Sequence, residues 1–145
     1  MLTEDQIVTA LHAHFTKEGY NVEGLCNTTQ HGVDMQVRCP TSGRRIFIEA
    51  KGGTSSRKGS ARHGKDFTPT VVFQRVAKAI YTAMELQSSQ NFRSGDMAAI
   101  ALPDTPVFRK HLSRVAAGLN KLGIGVYLVA ETDPPTVLFW NGTAN

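Results

Sequence analysis

Two acids and a lysine carry the chemistry that this sequence can do. Asp34 ends the run Gly32-Val33-Asp34, and Glu49-Ala50-Lys51 ends the apolar run Arg45-Ile46-Phe47-Ile48. Side chains alternate along a strand, so Glu49 and Lys51 project to one side. A short antiparallel hairpin would set Asp34 beside them. Two carboxylates and an ammonium at a strand end form a cage for a divalent metal and its water. Oxygen donors of this kind suit Mg²⁺, which is commonly held by one or two carboxylates together with substrate phosphates. The chemistry implied is metal-assisted hydrolysis of a phosphodiester.

The elements that must position this set follow from periodicity and caps. Thr3-Glu4-Asp5-Gln6 reads as a capping box, and Ile7, Val8, Leu11 and Phe15 continue it as a helix that stops at Gly19. Strands are expected over Tyr20 to Thr28, Val33 to Cys39 and Arg44 to Lys51, with Thr41-Ser42-Gly43 as the turn between the last two. Gly52 to Phe67 is too polar to pack and predicts a mobile loop. Thr68-Pro69 opens a long helix whose buried stripe is expected to be Val72, Phe73, Val76, Ile80 and Met84. A strand over Asp96 to Leu102 precedes a helix opened by Asp104-Thr105-Pro106. That helix is expected to turn Phe108, Leu112, Val115, Leu119 and Leu122 inward before Gly123 ends it. Gly125 to Ala130 and Thr136 to Trp140 are the last strands. The order α-β-β-β-α-β-α-β-β predicts an α/β fold with a mixed central sheet and helices on its faces.

At 145 residues, without repeat or linker, the chain is expected to form one domain over residues 1–145. No apolar stretch approaches the ~20 residues needed to span a bilayer, and the acidic start is unlike a signal peptide. Cys26 and Cys39 are too far apart for a CxxC motif, so two reduced cysteines in a cytoplasmic protein are expected, with a disulfide between neighbouring strands as the alternative.

The net charge of +4 hides a local concentration. From Arg38 to Lys65 there are eight basic residues and one acid, Glu49. Clustering of this kind marks a polyanion partner, although taken alone a solvated loop kept soluble by charge is the better reading. Beside the carboxylate pair it reads as a phosphate-contacting surface, with Arg57, Lys58, Arg62 and Lys65 on backbone phosphates.

Gly32-x-Asp34, Glu49-x-Lys51 and the element order resemble the PD-(D/E)xK nuclease superfamily, with its three-layer restriction-endonuclease-like fold. The leading helix and short spacing are most similar to Holliday-junction resolvases and Mrr-like restriction nucleases. The resemblance covers roughly Thr3 to Ala130, and Val33 stands where the eponymous proline would be. It implies that Asp34, Glu49 and the Ala50 carbonyl hold Mg²⁺, for which Mn²⁺ would substitute, and that Lys51 orients the attacking water and steadies phosphate charge. It further implies a site acid at Glu4 and a rim amide at Gln74. Glu4 has a competing role, since a first-turn acid stabilises the helix dipole by ~0.3–1 kcal/mol. Gln74, Lys78 and Tyr81 share one helical face, which is either an exposed face or a contact to substrate.

The activity implied is a metal-dependent DNA endonuclease. With no base-reading module, its cutting would be structure-specific, non-specific or partner-directed. A homodimer cutting two strands and a recruiting protein partner are both compatible with the resemblance. Two other readings stay open: a non-catalytic nucleic-acid-binding module, and a regulatory subunit that docks through Phe139-Trp140.

Overall fold

The computed structural model describes residues 1–25 and 33–142. Helix α1 spans Glu4–Lys17, followed by strands β1 (Asn21–Leu25), β2 (Met35–Arg38) and β3 (Arg45–Ala50). Helix α2 (Pro69–Gln87), β4 (Met97–Pro103), α3 (Pro106–Leu122), β5 (Gly125–Ala130) and β6 (Thr136–Trp140) complete the chain. Each helix starts where its cap dictates. Thr3 and Gln6 form the reciprocal capping box, and Thr68 and Thr105 accept from Val71 and Phe108 ahead of Pro69 and Pro106.

The strands make one six-stranded mixed, open sheet in sequence order. β1, β2 and β3 run antiparallel, β3, β4 and β5 run parallel through the α2 and α3 crossovers, and β6 returns antiparallel to β5. Period-two alternation sorts the two faces. Ala99 and Ala101 of β4 join Tyr127 and Val129 of β5 against Ile7, Leu11 and Phe15 of α1. Ala98, Ile100 and Leu102, with Val126 and Leu128, pack against α2 and α3. Trp140 is buried with this second cluster, so it is a core residue. No helix among the described residues is long and apolar enough to cross a membrane.

Several boundaries and faces differ from expectation. Asp34 lies immediately before β2 rather than within it, and the part of the expected first strand beyond Leu25 falls outside the described residues, as do Cys26, His31 and Gly32. On α2 the buried residues are Val72, Val76, Ala79 and Ala83, whereas Phe73 and Met84 are 56% and 43% exposed. The alanines take the inward face because β4 is itself alanine-rich, and small residues on both sides let helix and sheet approach closely. On α3, Phe108, Leu112 and Leu119 are buried but Val115 and Leu122 are not.

Outside the Lys51 cluster, two members of the basic run are paired with acids. Arg45 is buried and holds Asp96 at 2.6 Å and 3.2 Å while donating to the Asn91 carbonyl at 2.6 Å. Arg38 is paired with Glu23 on the neighbouring strand. Arg57, Lys58, Arg62 and Lys65 are exposed.

Candidate active site

The hairpin register assembles the site. Met35 pairs with Ile48, which carries Asp34 alongside Glu49 at the end of β3. Asp34 Oδ2 accepts from the Ala50 amide at 2.7 Å, so the carboxylate is clamped to the strand that bears its partners. Glu49 and Lys51 do share a side, with Lys51 Nζ 2.5 Å from Glu49 Oε1. Asp34 and Glu49 are both nearly inaccessible, at 8% and 7% exposed.

Helix α1 contributes a further acid. Lys51 Nζ is 4.0 Å from Glu4 Oε2, so one ammonium serves two carboxylates. The approach is possible because Gly52 lies against the α1 start: a Cβ there would sit 2.5 Å from the Glu4 amide nitrogen and 2.8 Å from the Thr3 carbonyl carbon. The Gly53 amide then donates to the Leu2 carbonyl at 2.9 Å, fastening the strand end to the chain just before the helix.

This grouping leaves negative charge undercompensated. Asp34 is pushed up to about 7, first by burial and then by the Glu49 charge, against the opposing effects of the Ala50 amide and Lys51. Burial also raises Glu4, opposed by Lys51 and by Arg75 and reinforced by Glu49. A buried Asp34 carboxyl that resists ionising beside the Glu49 charge is suited to a cation. Among the described residues no three His, Cys, Asp or Glu side chains form a ready-made metal cage. The carboxylates that the fold sets side by side, and that could offer oxygens to a cation, are those of Asp34 and Glu49.

Glu4 opens onto a polar pocket of about 420 Å³ that is also lined by Asp5, Thr54, Ser56, Arg57 and Arg75. Of the expected phosphate contacts, Arg57 reaches this pocket. Lys58, Arg62 and Lys65 are exposed on the same segment. That segment contains no helix or named strand, but its ends are tied by the Phe67 amide donating to the Gly53 carbonyl at 3.0 Å, and Thr54 Oγ1 donates to the Arg62 carbonyl at 3.0 Å.

Gln74 and Lys78 are exposed on α2 and do not line the pocket. The helix turns Arg75 toward Glu4 instead, and its guanidinium lies 5.0 Å over the Phe67 ring. Arg75 is the site residue that sequence reading missed. With Ala79 and Ala83 counted in the buried stripe, Arg75 falls on its flank and Gln74 on the far side, at about 100° per residue.

No protein-family model matches the chain, and no curated protein matches it. Among solved structures, SfsA of Pyrococcus furiosus in complex with Ca²⁺ is similar to it at 17% identity, with a TM-score of 0.34. The likeness covers 94% of this chain and 58% of SfsA, so the chain spans less than two thirds of that protein.

Proposed function

We propose that this chain is a metal-dependent DNA endonuclease of the PD-(D/E)xK type, built on a restriction-endonuclease-like arrangement of its sheet and helices. The observation that carries the reading is the convergence of Asp34, Glu49 and Lys51 at one strand end, with Glu4 brought to the same lysine. Asp34, Glu49 and the Ala50 carbonyl would hold Mg²⁺ or Mn²⁺. Bound there, the ion would supply positive charge to the scissile phosphate and acidify the attacking water.

The chain's own residues do the rest. Lys51 is held between Glu49 and Glu4, where it can orient a water and offset charge that develops on a phosphate oxygen. Arg57 and Arg75 open onto the adjoining pocket and would take a flanking phosphate, while Lys58, Arg62 and Lys65 extend the contact along the backbone. Contacts of this kind position a strand without reading its bases, and their strength falls with salt. Cutting directed by DNA structure or by a partner follows from that chemistry.

The test is a panel of linear, branched and single-stranded DNA with Mg²⁺ or Mn²⁺, cut by wild type and Lys51→Ala. Wild type is expected to cut at least one substrate, and Lys51→Ala to lose about 10²–10³-fold in rate. If neither cuts, or both cut equally, the site assignment fails.

Arg75 gives a second check. Arg75→Ala is expected to raise KM about 5–20-fold with little change in kcat, as removal of a positioning contact does. Gln74→Ala, on the far side of the helix, should change it less. Titrating DNA against both variants decides; the reverse order would place the substrate elsewhere.

A further inference from the structure

Among the described residues, six of the eight large apolar side chains that stand exposed lie on two helices: Phe73, Tyr81 and Met84 on α2, and Val107, Val115 and Leu122 on α3. A groove of about 360 Å³ runs between these helices. It is lined by Phe73, Ile80, Tyr81, Met84 and Val115, with His111 and Arg114 at its edge. Tyr81 is 66% exposed, and the Phe73 ring rests against His111 at 5.8 Å between centroids. A continuous patch of this kind, facing water, marks an interaction surface rather than scattered surface residues. Its concave form, bounded by two helices, fits an amphipathic helix laid into it.

Charge identifies the occupant. Helix α3 has no acidic residue, and α2 has one, Glu85. Arg109 is neutralised by Asp104, which leaves Arg75 and Lys78 on α2 and Lys110, Arg114 and Lys121 on α3, with Arg114 lining the groove itself. A second copy docked face to face would bring these like charges together. Duplex DNA would meet the charges but leave the carbon-lined groove unfilled. We infer that the α2–α3 groove is a docking site for an acidic amphipathic helical segment of a partner protein, its apolar face seated on Phe73, Tyr81 and Met84 and its flanking carboxylates on Arg114 and Lys110. This inference does not depend on the nuclease reading, because none of these residues belongs to the carboxylate site.

The test uses fluorescein-labelled synthetic helices of about four turns that share one apolar face and carry either glutamate or lysine flanks. Fluorescence anisotropy is read on the full chain. The glutamate form is expected to bind with Kd of about 10–100 µM and the lysine form at least about tenfold more weakly. Phe73→Ser should weaken the glutamate form about tenfold, and Arg114→Glu should narrow the preference between the two peptides. If thermal melts show Phe73→Ser to be unfolded, Tyr81→Ser replaces it. Equal binding of both peptides, or no binding of the glutamate form by about 1 mM, overturns the inference. So does sedimentation showing a dimer that Phe73→Ser dissociates, or loss of DNA affinity in Phe73→Ser with peptide binding unchanged.

Discussion

Asp34→Asn is expected to make the metal-free chain more stable at pH 8 and to abolish the cutting proposed for it. The wild-type carboxyl has its folded pKa raised from 3.8 to about 7, chiefly by burial and then by Glu49. For an acid, a raised folded pKa means that the native state keeps a proton that the unfolded chain has already lost. Stability of the metal-free protein therefore falls as pH rises from about 4 to 7, and the deficit is complete above that window. Asparagine removes the charge, keeps an oxygen to accept from the Ala50 amide, and adds an N–H that can donate to Glu49.

At pH 8 the gain should be about 1–2 kcal/mol after solvent screening, or about 3–8 °C in Tm. Below pH 4 the two proteins should melt together. Mg²⁺ or Mn²⁺ should raise the wild-type Tm and leave Asp34→Asn nearly unmoved, and the metal's affinity for wild type should weaken as pH drops below about 7. The same variant should lose at least about 10³-fold in cutting rate. Melts across pH with and without metal measure all of this. An Asp34→Asn protein that is less stable at pH 8 would show that burial does not penalise this carboxylate, and one equally stabilised by metal would show that it is not a ligand.

Gly52→Ala carries the second large effect, because it strikes fold and site at one point. The new methyl would lie 2.5 Å from the Glu4 nitrogen, 2.8 Å from the Thr3 carbonyl carbon and 3.1 Å from the Leu2 oxygen. All three are backbone atoms, so no side chain can swing aside. Either the first turn of α1 or the end of β3 must move, at a cost of about 1–3 kcal/mol as overpacking usually exacts. Movement of either one separates Glu4 from Lys51 and strains the Thr3–Gln6 capping box. The expected result is a Tm lower by about 5–10 °C and activity reduced at least tenfold, of the order of a misplaced catalytic group. Gly59→Ala, whose Cβ would meet nothing within 4 Å, is the control and should match wild type in both measurements. A Gly52→Ala protein as stable and active as that control would remove α1 from the site.

The legible parts of this protein are those written in neighbouring residues. Thr3, Thr68 and Thr105 cap their helices through hydrogen bonds three residues long, and two of them precede a proline, so the helix starts were readable. The alternation Ile46, Ile48 against Glu49, Lys51 is a two-residue period, and the Glu49–Lys51 pair follows from it. The α/β order was likewise readable, because each element has its own period and its own stop.

Tertiary structure decided what depends on distant partners. The basic run looked uniform, yet Arg45 is buried against Asp96 and Arg38 pairs with Glu23 at the surface, while Arg57 reaches the pocket. The phase of α2 was misread because alanine gives little hydrophobic signal. Ala79 and Ala83 face inward only because β4 offers them small neighbours, and that rotation turns Arg75, not Gln74, toward Glu4. The same rotation leaves Phe73 and Met84 on the surface. Glu4 shows how the two sources divide. Local sequence made it a first-turn helix acid, and the close packing of Gly52 on the α1 start gave it to Lys51. Short-range hydrogen bonds and periodicity set each element from within. Which charges remain available for chemistry is set by the packing of elements far apart in the chain.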